Sequence, residues 1–153
     1  MLAAGAKVPD VGASDQDGAD VRLRDFAGRK LVVYFYPKAD TPGCTAESQA
    51  FRDEKEALAK SGAAIVGVSR DTVEAQKKFA DKYKLNFPLL ADTTSAICDA
   101  FGVIVEKNMY GKKSIGIQRS TFLIGTDGTI AKVWPRVSVE GHEKAVLEAV
   151  RSL

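Results

Sequence analysis

The chain has 153 residues, 45% of them hydrophobic, which is enough for its own core, and it reads as a single domain over residues 1–153. Its 22 basic and 20 acidic residues nearly cancel, and the pairs Lys77-Lys78 and Lys112-Lys113 stand apart instead of forming a stripe, so neither nucleic acid nor a membrane is expected as a partner. No apolar run is long enough to cross a membrane, the opening MLAAGAKVPD is too short for a secretory signal, and two cysteines make no disulfide framework; a soluble protein of the reducing cytoplasm is expected.

In chain order, SDQDGADVRL reads as a small N-terminal β-hairpin turning at Asp17-Gly18. KLVVYFYP, residues 30–37, is a continuous apolar run stopped by proline, the pattern of a strand buried on both faces. After the break at Thr41-Pro42-Gly43, a composition rich in Ala, Glu, Lys and Gln predicts a helix over residues 44–60. AAIVGVS, residues 63–69, is a second buried strand, and DTVEAQKKFADKYK is a second helix with Val73, Phe79, Ala80 and Tyr83 inward, which makes a parallel βαβ unit. TTSAICDAFGV is a short helix with Ile97 and Phe101 inward and Cys98 half-buried among them. RSTFLIGTDGTIAKVW supplies two strands about an Asp127-Gly128 turn, and Val146, Ala149, Val150 and Leu153 mark the inner face of a closing helix. A βαβ half followed by a ββα half is the order of a thioredoxin-like α/β sandwich, a central mixed β-sheet flanked by helices. There is no internal repeat.

Several chemistries lack their residues. GKKSIGIQ has the glycine spacing of a phosphate loop, but Ile117-Gln118 stands where Lys-Ser/Thr is required. Zinc needs about four Cys or His ligands, and the chain has two cysteines and one histidine, so no metal and no cofactor are expected. His142, at the start of the last helix, is expected on the solvated surface, not paired with a cysteine as a hydrolase base. Dithiol exchange wants Cys-x-x-Cys, yet Thr41 and Glu47 flank Cys44 at that spacing. Cys44 itself falls in the first turn of the predicted helix, where unpaired backbone N–H groups and the positive end of the dipole favour an anion such as a thiolate. The helix end contributes roughly 1–2 kcal/mol, so an activated sulfur there also needs a cation nearby. A buried structural cysteine is the plain alternative.

The residues around Cys44 carry a resemblance. Pro37-x-x-x-Thr41-x-x-Cys44 is similar to the motif of peroxiredoxins, and YFYPKADTPGCTAE resembles the bacterioferritin comigratory protein, or peroxiredoxin Q, branch of that family. GVSRD, FPLLAD, FGV, EKNMYGKK and GIQRSTFLI extend the likeness in order along nearly the whole chain. The resemblance implies a thioredoxin-like fold, a thiol peroxidase acting on hydrogen peroxide and organic hydroperoxides, and Cys44 as the nucleophile. Thr41 and Arg119 would complete the site, with Pro37 shielding it. Arg119 would be the missing cation, able to meet both sulfur and a peroxide oxygen. The Thr41 hydroxyl can both donate and accept, or cap the helix. Glu47, one turn past Cys44, would oppose a thiolate unless it is engaged by Arg119, and is expected to orient that arginine.

Activation of the thiol is not the whole mechanism. For any thiol, a pKa lowered by about 2.5 units raises the thiolate fraction at pH 7 some 30-fold, while a Brønsted slope near 0.45 takes back about 13-fold. Most of the catalysis must come from donors aimed at the oxygens as the O–O bond breaks. In much of the resembled branch a second, resolving cysteine lies at positions that are here Gln49 and Ala80. Cys98 is the remaining internal candidate, though cysteine at this place in the family is not usually the resolving one. The favoured reading is a one-cysteine mechanism in a monomer, with an external thiol such as thioredoxin or the glutathione/glutaredoxin system as reductant. The alternatives are a two-cysteine enzyme with Cys98 resolving, a peroxide-sensing redox relay, and a holdase-type chaperone.

Overall fold

The computed structural model describes residues 1–153, apart from the side chain of Met109. The N-terminal hairpin pairs β1 (Gly12–Ser14) with β2 (Asp20–Arg22) and leads through a 3-10 turn (Leu23–Phe26) into β3 (Lys30–Phe35). Then come α1 (Pro42–Lys60), β4 (Ala63–Ser69), α2 (Val73–Tyr83), β5 (Leu89–Ala91) and α3 (Ala96–Phe101). The chain continues through β6 (Ile104–Met109), β7 (Lys112–Ile117), β8 (Ser120–Ile124) and β9 (Ile130–Trp134) to α4 (His142–Ser152). One sheet has seven strands in the order β2-β1-β5-β4-β3-β8-β9; β6 and β7 form a separate pair. Strands β3, β4 and β5 are parallel and the other neighbours in the large sheet antiparallel, so the sheet is mixed as expected.

The apolar run of β3 is continuous because the strand is central and covered on both faces. Alternate residues serve two cores. Val32 and Tyr34, with Tyr36 beyond the strand end, pack beneath Phe51 and Leu58 of α1, Phe79 of α2 and Val146 and Val150 of α4. Leu31, Val33 and Phe35 pack on the other side with Ile97 and Phe101 of α3, Phe122 and Ile130.

The structure amends the sequence reading at several positions. Helix α1 begins at Pro42, with Thr41 as N-cap, because proline suits the first helical position, where no backbone N–H is needed. On α2, Phe79 and Ala80 are buried as expected, Val73 and Tyr83 are only half-buried, and Gln76 is buried beside them. Leu153 lies past the end of α4 and is 49% exposed, while Leu147 takes the core position. Cys98 is fully buried, not half-buried. The sequence pattern predicts neither β5 nor the β6–β7 hairpin. The hairpin turns on Tyr110 and Gly111, both at positive φ (54° and 78°), so it has the left-handed backbone of a two-residue turn without an Asn-Gly or Asp-Gly signal.

Candidate active site

Cys44 lies where the chain leaves the end of β3 and enters α1. Strand β8 runs antiparallel to β3 with Phe35 opposite Ser120, so Arg119, one residue before β8, is delivered beside that end of β3. A guanidinium 75 positions away in sequence thereby donates from Nη2 to Cys44 Sγ at 3.3 Å. Its Nη1 donates to Glu47 Oε1 at 2.8 Å. Glu47 follows Cys44 by one helical turn, which puts both acceptors on the face of α1 that Arg119 approaches. Gly43 leaves room for that approach: a Cβ there would stand 3.1 Å from Nη2.

Cys44 is 1% exposed. The Glu47 side chain is equally enclosed, and burial pushes its carboxyl up to about 7 against the opposing pull of Arg119. Only one of its oxygens is bonded; Oε2 is buried without a partner among the described residues. Lys107 of β6 also feels the site, its pKa lowered by burial and by the Arg119 charge while the sulfur pulls the other way.

Thr41 stands at the N-cap without capping the helix through its side chain. Its hydroxyl instead donates to the Lys38 carbonyl at 2.7 Å, which commits the proton and leaves the oxygen free to accept. Pro37 follows Tyr36 and is exposed. Cys98 is not brought to the site. Cys44 belongs to the core under α1, α2 and α4 and Cys98 to the core on the other face of the sheet, where burial and then Asp92 push its thiol up.

His142 corrects an expectation. It is 6% exposed, bonded through Nε2 to Thr121 Oγ1 at 2.8 Å and flanked edge-on by Phe51 and Trp134. Burial, with a further push from Arg119, brings its pKa down to about 4. The first turn of α4 is seated between α1 and β9, and a polar ring there is tolerated because Thr121 satisfies it.

Sequence reasoning attached no role to Ser69, Asp71 or Gln76, which connect to the loop before Cys44. Asp71 Oδ2 accepts from the Ala39 N–H at 2.8 Å and from Ser69 Oγ at 2.6 Å. Ser69 and Asp71 lie in GVSRD, one of the stretches that carry the resemblance, and the one sequence signal at Gln76 is its spacing of three residues from both Val73 and Phe79.

The AhpC/TSA family profile matches residues 4–133. The chain is 47% identical to peroxiredoxin Bcp of Xanthomonas campestris, over 94% of this chain and 89% of that one. It is 44% identical to peroxiredoxin Bcp of Escherichia coli, over 95% and 94%. Among solved structures, Xanthomonas campestris peroxiredoxin Q superposes with a TM-score of 0.92 at 45% identity over 97% of both chains. Another, with TM-score 0.92 and 44% identity over 97% of this chain and 98% of that one, concerns alkyl peroxide reduction by the Xanthomonas campestris bacterioferritin comigratory protein. Fold, near-complete coverage and the surroundings of Cys44 agree, and the chain belongs to the AhpC/TSA family as a peroxiredoxin of the Bcp or peroxiredoxin Q branch, a thiol peroxidase.

Proposed function

We propose that Cys44 is the sulfur that peroxide oxidises, in a one-cysteine cycle that an external thiol completes. The observation that carries this reading is the 3.3 Å contact from Arg119 to Cys44 Sγ, made by a guanidinium that Glu47 holds from its other nitrogen. In the first half-reaction the Cys44 thiolate attacks one peroxide oxygen. The S–O bond forms as the O–O bond breaks, the electron pair leaves on the second oxygen, and that oxygen takes a proton to depart as water or an alcohol. Arg119 stabilises the charge that grows on the leaving oxygen, while the free lone pairs of Thr41 accept from the peroxide O–H. Glu47 orients the arginine, and Pro37 screens the loop.

Cys44 is then a sulfenic acid. An external thiol attacks its sulfur and water departs; a second thiol opens the resulting mixed disulfide and restores Cys44. Thioredoxin is the reductant we propose, and hydrogen peroxide and organic hydroperoxides the substrates, with the chain acting as one domain and a monomer in the cytoplasm. The separation of Cys44 and Cys98 into cores on opposite faces of the sheet supports a cycle without an internal disulfide. Peroxide consumption coupled to thioredoxin and its reductase tests the assignment. Cys44→Ser is expected to lose all measurable turnover with an unchanged circular dichroism spectrum, and a variant that kept more than a few per cent of the rate would remove Cys44 from the mechanism.

A further inference from the structure

Glu47 offers more chemistry than the holding of Arg119 requires. It stands one turn beyond Cys44 on the buried face of α1, and the two side chains accept from the two terminal nitrogens of one guanidinium, Glu47 Oε1 from Nη1 at 2.8 Å and Cys44 Sγ from Nη2 at 3.3 Å. Both acids are sealed from solvent. A thiolate and a carboxylate together would therefore enclose two negative charges against Arg119, the one cation in contact with them among the described residues. One negative charge is balanced there and two are not. Acids that share a cation in this way titrate as a pair, so a charge that appears on one is favourably lost from the other. Oε2 of Glu47 is the free place for a proton, since it is buried with no partner among the described residues.

The neighbouring groups are unsuited to take a proton from the sulfur. Arg119 of β8 and Lys107 of β6 are cations. Tyr34 of β3 feels both acids, but burial keeps its phenol protonated, and its oxygen shares a hydrogen bond with Ser48 Oγ at 2.8 Å. His142 of α4, brought down to about 4 by burial and by Arg119, is a weak base and is engaged by Thr121. Thr41 has given its proton to the Lys38 carbonyl and has no negative charge to offer. Glu47 remains. Burial sets its carboxyl at about 7, the range in which a group can both take and return a proton near neutral pH.

We propose that Glu47 is the base and then the acid of the oxidation step: it takes the Cys44 thiol proton and returns it to the departing peroxide oxygen. The inference rests on the assignment of Cys44 as the oxidised sulfur. First the proton moves from Sγ to the Glu47 carboxylate, which leaves a thiolate on Arg119 and a neutral carboxyl. The thiolate then forms the S–O bond with the hydroxyl oxygen of a peroxide ROOH. The O–O bond breaks, its electron pair leaves on the RO oxygen, and that oxygen takes the proton of Glu47 and departs as ROH. Cys44 is left as a sulfenic acid and Glu47 as a carboxylate. Arg119 faces one negative charge before and after each transfer, and no proton is drawn from water.

The test is stopped-flow oxidation of the reduced protein by hydrogen peroxide, tert-butyl hydroperoxide and peracetic acid, compared at pH 7, with hydrogen peroxide also followed from about pH 5 to about pH 9. Glu47→Gln keeps an acceptor oxygen for Nη1 and deletes the base, so a role confined to orienting Arg119 would leave its rates near those of the wild type. We expect it to slow oxidation by hydrogen peroxide and tert-butyl hydroperoxide about 10²-fold. Peracetic acid should lose less, because acetate departs without needing a proton. The wild-type rate should fall as pH drops through about 7, where a protonated Glu47 can no longer take the thiol proton. The Glu47→Gln rate should instead keep climbing into alkali as the thiol ionises to solvent. Near wild-type rates in Glu47→Gln, or equal losses with all three peroxides, would overturn the proposal. So would a wild-type rate that is flat from about pH 5 to about pH 8, a result that decides the matter even if Glu47→Gln does not fold. If mass analysis shows that peroxide does not oxidise the wild-type protein at Cys44, it is the assignment of that sulfur that fails, and the proton transfer with it.

Discussion

Arg119 makes two bonds from adjacent nitrogens, one to the sulfur and one to a buried carboxylate, and this geometry separates two roles that a cation at this place can have. As a charge alone it would only help the thiol to ionise, and alkaline buffer would replace it. As a pair of aimed donors it also stabilises the breaking O–O bond, which alkali cannot do. Arg119→Met is therefore expected to lose about 10²-fold in the rate of peroxide reduction and not to regain it at high pH; recovery of the wild-type rate there would reduce the residue to a charge. Gly43 tests the same geometry sterically. Alanine is the better helix former by about 1 kcal/mol, yet its Cβ would crowd Nη2 at 3.1 Å. For Gly43→Ala we expect a thermal midpoint at or above that of the wild type with peroxide reduction slower by roughly 3- to 10-fold, the mark of donors displaced by a few tenths of an ångström.

At the scale of elements, the site is made by two strand ends. β3 runs toward the loop and β8 runs away from it, so an antiparallel pair brings the start of one to the finish of the other, and α1 adds its first turn above both. The same sheet keeps the two cysteines apart, since α1 covers one face and α3 the other. Cys98→Ala is expected to keep most of its turnover with an external thiol. One equivalent of hydrogen peroxide without reductant should leave the wild-type chain one oxygen heavier, trappable by dimedone at Cys44. A product two hydrogens lighter, together with lost turnover in Cys98→Ala, would mean that the segments unwind far enough to join and that Cys98 resolves.

Across the whole molecule, two buried titratable groups oppose each other in the pH dependence of stability. The Glu47 carboxyl rises from 4.5 to about 7 on folding, so its contribution is present in full below pH 4.5 and lost as pH climbs through 7. His142 falls from 6.5 to about 4, so its contribution is present above pH 6.5 and lost as pH drops toward 4. Between pH 4.5 and 6.5 folding adds a proton to one and removes a proton from the other, and their slopes cancel. Urea unfolding across this window should give a nearly flat share from the pair in the wild type. Glu47→Gln should become less stable as pH falls, His142→Asn more stable, each by at most about 1.4 kcal/mol per pH unit. Parallel curves for all three proteins would show that the two groups are not held as described. Because both cores share β3, we expect one cooperative transition in each case.

The order of the helices and of the strands other than β5, β6 and β7, the two-faced burial of β3 and the first-turn position of Cys44 were legible because each depends on local pattern: apolar runs, a proline break and helix-forming composition. The motif about Cys44 and the arginine at 119 were legible as a resemblance, since spacing survives in one dimension. Burial of polar side chains was not. His142 reads as a surface residue until α4 is seated against Phe51 and Trp134, and Gln76 reads as solvated until Tyr36, Ser69 and Leu90 surround it. The β6–β7 hairpin, with its polar alternation and a Tyr-Gly turn, carries too little hydrophobic contrast to announce itself. Local pattern fixes which segments are helix or strand because it acts through backbone conformation and neighbours within a few residues. Which polar atoms meet, and so which residues can hold a loop or aim a donor, depends on pairings between β3, β8, α2 and α4 that form only when the sheet closes.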